Sequence, residues 1–155
     1  MDVRPRYRTR TIGRWPPRRL LVPSNGSAAS KRAAEFAFAL ASGQEDEVTI
    51  LNVVIQGAAS YRLESSGQPQ ERELAIAHQI VDELRSLGEA AGVRTETDVR
   101  TGRDPESVIL KLAKKSDLIL LGTDLRLGSN RLFLGPRVER VLVHAPCPVV
   151  VINAS

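Results

Sequence analysis

Between Gly122 and Gly135 the chain carries glycines, a threonine and arginines at a spacing that suits one chemistry, the holding of a phosphate. Gly122, Gly128 and Gly135 let a backbone approach an anion closely and adopt positive φ, Thr123 supplies a hydroxyl, and a following helix would present its N-terminal amides. Arg126, Arg131 and Arg137 run through the same loop and the start of the next helix, where guanidiniums can grip phosphate oxygens through forked, charge-assisted hydrogen bonds.

Other chemistries find less to work with. No G-x-G-x-x-G follows the first strand and no G-x-x-x-x-G-K-S/T occurs, which argues against a dinucleotide-dependent oxidoreductase and a motor NTPase. His78 reads as a surface residue beside Ala77 and Gln79. His144 falls near the end of the last helix, where an imidazole serves terminal carbonyls or the helix dipole. Neither has a nucleophile beside it, so no hydrolytic triad and no catalysis are expected. Cys147, set between Pro146 and Pro148, reads as inert packing, and a single cysteine with two histidines gives no disulfide and no zinc spacing. No metal is expected, although Asp117 and Asp124, flanking the fourth strand, are open to two readings: caps, or contacts to a metal carried in with a nucleotide.

The elements that must position the loop alternate from Leu20 onward. Leu20 to Pro23 is a short apolar strand ending in Ser24-Asn25-Gly26-Ser27, a turn with Ser27 as helix N-cap. The helix that follows places Ala33, Phe36, Ala37, Leu40 and Ala41 on one face and stops near Gly43. Val48 to Val54 is nearly all apolar, as a central parallel strand covered on both faces should be. Residues 55 to 69 form a loop, and a long helix runs from about Gln70 to Ala91, with Leu74, Ala77, Ile80, Val81, Leu84 and Leu87 at helical spacing and Gly92 as its stop. Val93 to Arg100 alternates polar and less polar residues as an edge strand does. Asp104 caps a helix opened by Pro105, whose buried stripe is Val108, Ile109, Leu112 and Ala113. Leu118 to Leu121 is another central strand, and Val138, Val141, Leu142 and Ala145 mark a last helix before the strand Val149 to Ile152. The pattern predicts an α/β fold, a doubly wound parallel sheet of five strands with helices on both faces and right-handed crossovers. Ligands in such sheets bind beyond the carboxyl ends of the strands at a switch point, here the loops after strands one, two and four.

The chain has 155 residues and a formal charge of +4. That excess is local. Residues 1 to 19 hold seven arginines against Asp2, which leaves 15 basic and 17 acidic residues for the remainder, a slightly acidic body. The domain reading is therefore a basic flexible arm over residues 1–18 and a single folded domain over 19–155. The arm is open to several readings: a solvated tail, or a juxtamembrane segment near anionic lipid, where each arginine contributes about 1 kcal/mol, with RNA third. Aromatic residues make up 4% of the chain, too few for a base-stacking groove, so nucleic acid is not the expected partner. The lone cysteine and the absence of an apolar stretch long enough to span a bilayer point to a cytoplasmic protein.

Four segments together carry a family resemblance. Leu20-Leu21-Val22-Pro23-Ser24-Asn25-Gly26-Ser27, Val48-Thr49-Ile50-Leu51-Asn52-Val53-Val54, Asp117-Leu118-Ile119-Leu120-Leu121-Gly122 and His144-Ala145-Pro146-Cys147-Pro148-Val149-Val150-Val151 resemble, in order and spacing, the universal stress protein family. The resemblance implies strand order 3-2-1-4-5, frequent dimers and, in one branch, an ATP site; the last strand, Val149 to Ile152, would leave an unpaired edge through which a homodimer is expected to join. In that branch an acidic residue after strand one contacts the nucleoside, a backbone group after strand two meets adenine, and the phosphate loop reads G-x-x-G, nine residues, then G-S or G-T. On this chain the resemblance marks Pro23, Ser24 and Asn25, then Val53, then Gly122, Thr123 and Gly135 as site residues; the loop's own chemistry adds Arg126, Gly128, Arg131 and Arg137. The stretch Arg126 to Gly135 also resembles domains on the cytoplasmic end of bacterial cation/proton antiporters and related transporters, which would make this a transporter's regulatory domain and the arm its linker.

The loop departs from the ATP pattern at two of four marked positions. Leu125 stands for a glycine, and Pro136 lacks both the hydroxyl and the N–H that would meet phosphate. Asn25 replaces the acidic residue and keeps hydrogen-bonding capacity without the charge. Three outcomes stay open: a fold kept as an interaction module with the site lost, a different adenine ligand (AMP, cyclic AMP or cyclic di-AMP) held through the arginines, or ordinary ATP binding with slow hydrolysis.

Overall fold

The computed structural model describes residues 16–41, 45–56, 71–124, 126–128, 131–133 and 136–153. The first fifteen residues of the basic arm, the expected helix stop at Gly43, residues 57–70, Leu125 and Gly135 lie outside them.

The apolar runs form a five-stranded, all-parallel sheet. Its strands are β1 (Arg19–Pro23), β2 (Glu47–Ile55), β3 (Arg94–Gly102), β4 (Leu118–Thr123) and, last in the chain, β7 (Val149–Asn153). They lie in the order β3-β2-β1-β4-β7, which is the 3-2-1-4-5 arrangement. Crossovers are α1 (Ala28–Leu40), α2 (Glu71–Ala90), α3 (Pro105–Ala113) and α4 (Pro136–His144). Between β4 and α4 the structure adds two three-residue strands where sequence periodicity indicates plain loop: β5 (Arg126–Gly128) and β6 (Arg131–Phe133), paired antiparallel. Strands so short carry no readable period, and the arginines and glycines within them mask the signal.

Two cores follow from alternation along the strands. Leu20, Val22, Val48, Ile50, Leu118 and Leu120 pack beneath α1 and α2 with Ala33, Ala37, Phe38, Val81 and Leu84. Leu21, Leu51, Ile119 and Leu121 pack on the other side against Ile109, Ala113 and Val141 of α3 and α4. Because both faces of β1 and β4 are covered, Leu20 to Val22 and Leu118 to Leu121 are apolar without a break.

The expected helix faces need correction. In α1, Phe36 and Leu40 are each 45% exposed, and the buried stripe is Ala29, Ser30, Ala33, Ala34, Ala37 and Phe38. The helix is apolar around most of its circumference, so period alone does not choose the face. The sheet takes the side richest in alanine, where the helix axis can come closest. Leu87 and Leu142 are likewise exposed, while Ala77, Val81, Leu84 and Gly88 line the buried side of α2.

Helix termini behave as expected. Ser27 accepts from the Ser30 amide and Asp104 from the Ser107 amide, each as N-cap, and Pro105 occupies the first turn of α3. At the end of α2, Gly92 takes φ +75°, its amide reaching Glu89 O at 3.0 Å and the Val93 amide reaching Gly88 O at 2.9 Å, a Schellman closure.

Candidate functional site

The sheet changes direction around β1: the chain winds from β1 through β2 to β3 on one side, and through β4 to β7 on the other. The carboxyl ends of β1, β2 and β4 therefore splay apart and leave a crevice. A cleft of about 270 Å³ occupies this place. Its floor is Pro23 at the end of β1, Ser24 and Asn25 after it, Leu51, Val53 and Ile55 of β2, and Leu121 and Gly122 of β4; Ser30 of α1, Pro105 and Ile109 of α3, and Arg137 and Val138 of α4 close the sides. The walls are mostly apolar, and Arg137 is the one charged side chain on the lining among the described residues.

Local hydrogen bonding fixes the floor. β1 ends at Pro23, and the Ser24 amide still donates to Leu51 O at 2.8 Å. Asn52, buried on β2, donates its side-chain amide to Ser24 O at 2.8 Å. The Ser24 and Ser30 hydroxyls lie 2.9 Å apart, and Ser30 Oγ donates to Ser27 O at 2.9 Å. Asn25, exposed, turns its Oδ1 back to accept from the Ser27 amide at 3.0 Å. Its side chain thus shapes the turn into α1.

One peptide edge is left open. In a parallel ladder successive residues point their N–H and C=O to alternate neighbours. Leu51 O faces β1 through Ser24, while the Gln56 amide faces β3 through Gly102 O, so Val53 points toward β1. The β1–β2 pairing stops at Pro23 and Leu51. Beyond it, Val53 N–H and C=O face the cleft with no backbone partner on the β1 side among the described residues.

Gly122 has a packing role that its place in a glycine loop does not suggest. It lies within β4, and a Cβ there would fall 2.1 Å from Ala29 O and 2.5 Å from the Ser30 amide nitrogen. Only glycine lets the first turn of α1 cross the end of β4 so closely.

Arg137 is engaged rather than free. Its Nε lies 3.4 Å from Oε1 of Glu106, and Arg140 Nη1 lies 3.8 Å from Oε2 of the same carboxylate and 3.2 Å from Asp104 Oδ1. Hydrogen bonds from the Ser107 hydroxyl and amide hold the Asp104 carboxyl below its ordinary range.

Of the residues expected at the site, Pro23, Ser24, Asn25, Val53, Gly122 and Arg137 come together on the cleft. Thr123 is buried at the end of β4 and does not line it. Arg126, Gly128 and Arg131 fall on the β5–β6 pair, and Gly135 lies outside the described residues. Asn52, Ser30 and Glu106 belong to the site without having been expected there. Asn52 had a signal: an amide in a strand otherwise apolar must find a buried partner. Glu106 had none, since a glutamate in a first helical turn is ordinary.

The remaining chemical candidates recede. Asp117 accepts from the Arg18 and Arg19 amides at 3.0 Å each, at the amino end of the sheet and away from the cleft. That makes it a cap. Half-burial and then the nearby Asp117 carboxylate push the Cys147 thiol up to about 11. Among the described residues no cluster of histidine, cysteine and carboxylate groups could hold a metal, and no helix is long and apolar enough to cross a membrane.

Residues 17–153 match the model of the universal stress protein family. The chain belongs to this family. It is 31% identical over 145 residues to the universal stress protein MJ0531 of Methanocaldococcus jannaschii, covering 88% of this chain and 82% of that one. Among solved structures it is similar to a family protein from Arabidopsis thaliana with AMP bound, at 21% identity and TM-score 0.65, covering 88% of this chain and 92% of that one. It is similar as well to a universal stress protein in complex with cAMP, at 21% identity and TM-score 0.63, covering 90% and 98%. Likeness at these identities establishes the shared fold.

Proposed function

We propose that this universal stress protein domain binds an adenine nucleotide bearing one phosphate, AMP or cyclic AMP ahead of ATP, and acts by binding rather than by catalysis. The observation that carries the reading is the pairing of an apolar slot with an open peptide edge: Val53 presents N–H and C=O between Leu51, Ile55, Ile109 and Val138. A purine has the flat apolar faces for such a slot and the edge donors and acceptors for such a peptide. The family likeness adds support, since relatives of the same fold carry AMP and cAMP. About 270 Å³ lies at the small end for ligand pockets, which favours a single nucleoside over cyclic di-AMP. Pro136 at the first position of α4 removes an amide that a triphosphate chain would use.

Thermal shift with AMP, cyclic AMP, cyclic di-AMP and ATP tests the reading. A ligand present at about 100 times its dissociation constant adds roughly 2.7 kcal/mol of stability, a readily measured rise in Tm. No shift with any of them at millimolar concentration sinks the proposal.

A second reading, self-association, is favoured by the outer edge of β7. That strand has no partner on its outer side among the described residues, and its apolar residues Val149 to Ile152 remain only partly buried. An open edge flanked by apolar side chains is a template for another copy. Sedimentation velocity across a concentration series should show a dimer; a monomer throughout refutes it.

A further inference from the structure

Arg137 reaches the cleft already balanced. Glu106, in the first turn of α3, has a side chain only 8% exposed, so its carboxylate depends on the guanidiniums beside it. Arg137 Nε stands at 3.4 Å and Arg140 Nη1 at 3.8 Å. Arg140 is itself divided, reaching Asp104 Oδ1 at 3.2 Å and Ser107 Oγ at 3.4 Å. Two arginines of α4 thus face two carboxylates of the α3 start, a group whose formal charge is zero.

Geometry decides which part of Arg137 remains for a ligand. Nε is the guanidinium nitrogen nearest Glu106, in an ion pair rather than a directed hydrogen bond, which leaves the two terminal nitrogens farther from that carboxylate. They can pair with the oxygens of one phosphate. A singly or doubly charged phosphate gains those bonds while the buried carboxylate stays in place. A triphosphate brings further negative charge to a network with none left to neutralise it. Burial at 8% exposure and Arg140 at 3.8 Å from its second oxygen both disfavour Glu106 swinging clear.

We infer that Glu106 is a specificity-determining residue of this cleft: by neutralising Arg137 from behind, it admits nucleotides with one phosphate and turns away triphosphates. The inference rests on the nucleotide-binding reading above and adds to it the element that selects by charge.

Calorimetric titration of the whole chain with cyclic AMP, AMP and ATP tests it. In Glu106→Gln, which keeps the shape and removes the charge, ATP affinity should rise roughly three- to tenfold while cyclic AMP affinity changes much less, the scale expected for one partly exposed ion pair. Arg137→Gln should weaken every ligand, and the double substitution should lose the gain in ATP affinity, because Glu106 acts through Arg137. An unmoved ATP-to-cyclic-AMP ratio in folded Glu106→Gln overturns the inference, and so does a gain that survives in the double variant. Should Glu106→Gln not fold, Arg140→Gln changes an exposed side chain and leaves Glu106 leaning on Arg137 alone. ATP should then bind more weakly relative to cyclic AMP, and an unchanged ratio again overturns the role. Wild-type protein that binds none of the three nucleotides removes the nucleotide reading itself, whereas binding with unmoved ratios removes only the role of Glu106.

Discussion

Replacing Gly122 with alanine separates a packing role from a ligand role at the centre of the site. The added methyl would lie 2.1 Å from Ala29 O, 2.2 Å from Ala29 C and 2.5 Å from the Ser30 amide nitrogen, where ordinary contact begins at 3.4 Å. All three atoms are backbone, so no rotamer change relieves the overlap. Either β4 or the first turn of α1 must move by about 1 Å, and interiors packed at crystal density resist such a shift. Forced insertions of this size cost about 1–3 kcal/mol, and contacts to backbone put this one toward the upper end. Displacing α1 would also stretch the 2.9 Å contact between Ser24 and Ser30. We expect Gly122→Ala to lose about 2–3 kcal/mol in urea unfolding with an unchanged m-value, and to weaken nucleotide binding in step. Full stability with lost binding would refute the packing argument and return Gly122 to the phosphate loop as a ligand contact alone.

Three further outcomes can be checked. Asn52→Leu leaves the buried Ser24 carbonyl without its 2.8 Å donor and should cost about 1–3 kcal/mol in urea unfolding; a neutral effect would mean the carbonyl finds another donor. The carboxyl of Asp104 has a folded pKa below its ordinary 3.8, so its stabilising contribution is present above that value and is lost as pH falls through the lowered pKa. The stability gap between wild type and Asp104→Asn, followed by denaturation at a series of pH values, should therefore be widest near neutrality and close in acid; a gap independent of pH refutes the linkage. Cys147, with its thiol raised to about 11, should resist alkylation at pH 8 in the native state and react promptly once unfolded, and fast native labelling would contradict its burial.

How much of the molecule is legible in the sequence depends on how each feature is encoded. Strands β1, β2 and β4 announce themselves because burial on both faces demands continuous apolar runs, and Asp104-Pro105 marks a helix start through two local rules. The buried face of α1 is ambiguous because Phe36 and Phe38 are equally apolar, and only packing against the sheet separates them at 45% and 7% exposure. The β5–β6 pair is too short to show a period, and the engagement of Arg137 by Glu106 spans 31 residues of chain between two helix starts. Nothing local encodes such a pair.

The same division explains how the fold can keep one half of the proposed nucleotide site while the other changes. The nucleoside half is made from groups the fold cannot surrender: the peptide of Val53 where β1 stops, the Asn52 bond that ties β2 to Ser24, and core residues such as Leu51 and Leu121 that support both sheet and cleft. Changing them costs stability before it changes binding. The phosphate half depends on the stretch of chain leading from β4 into α4, where Pro136 opens a helix as well as any serine would and Arg137 lies on an exposed surface. Substitutions there leave the core intact. The proposed charge selection by Glu106 and Arg137 would thus arise without disturbing the scaffold, and on that proposal ligand preference should track the start of α4 more closely than any position in the sheet.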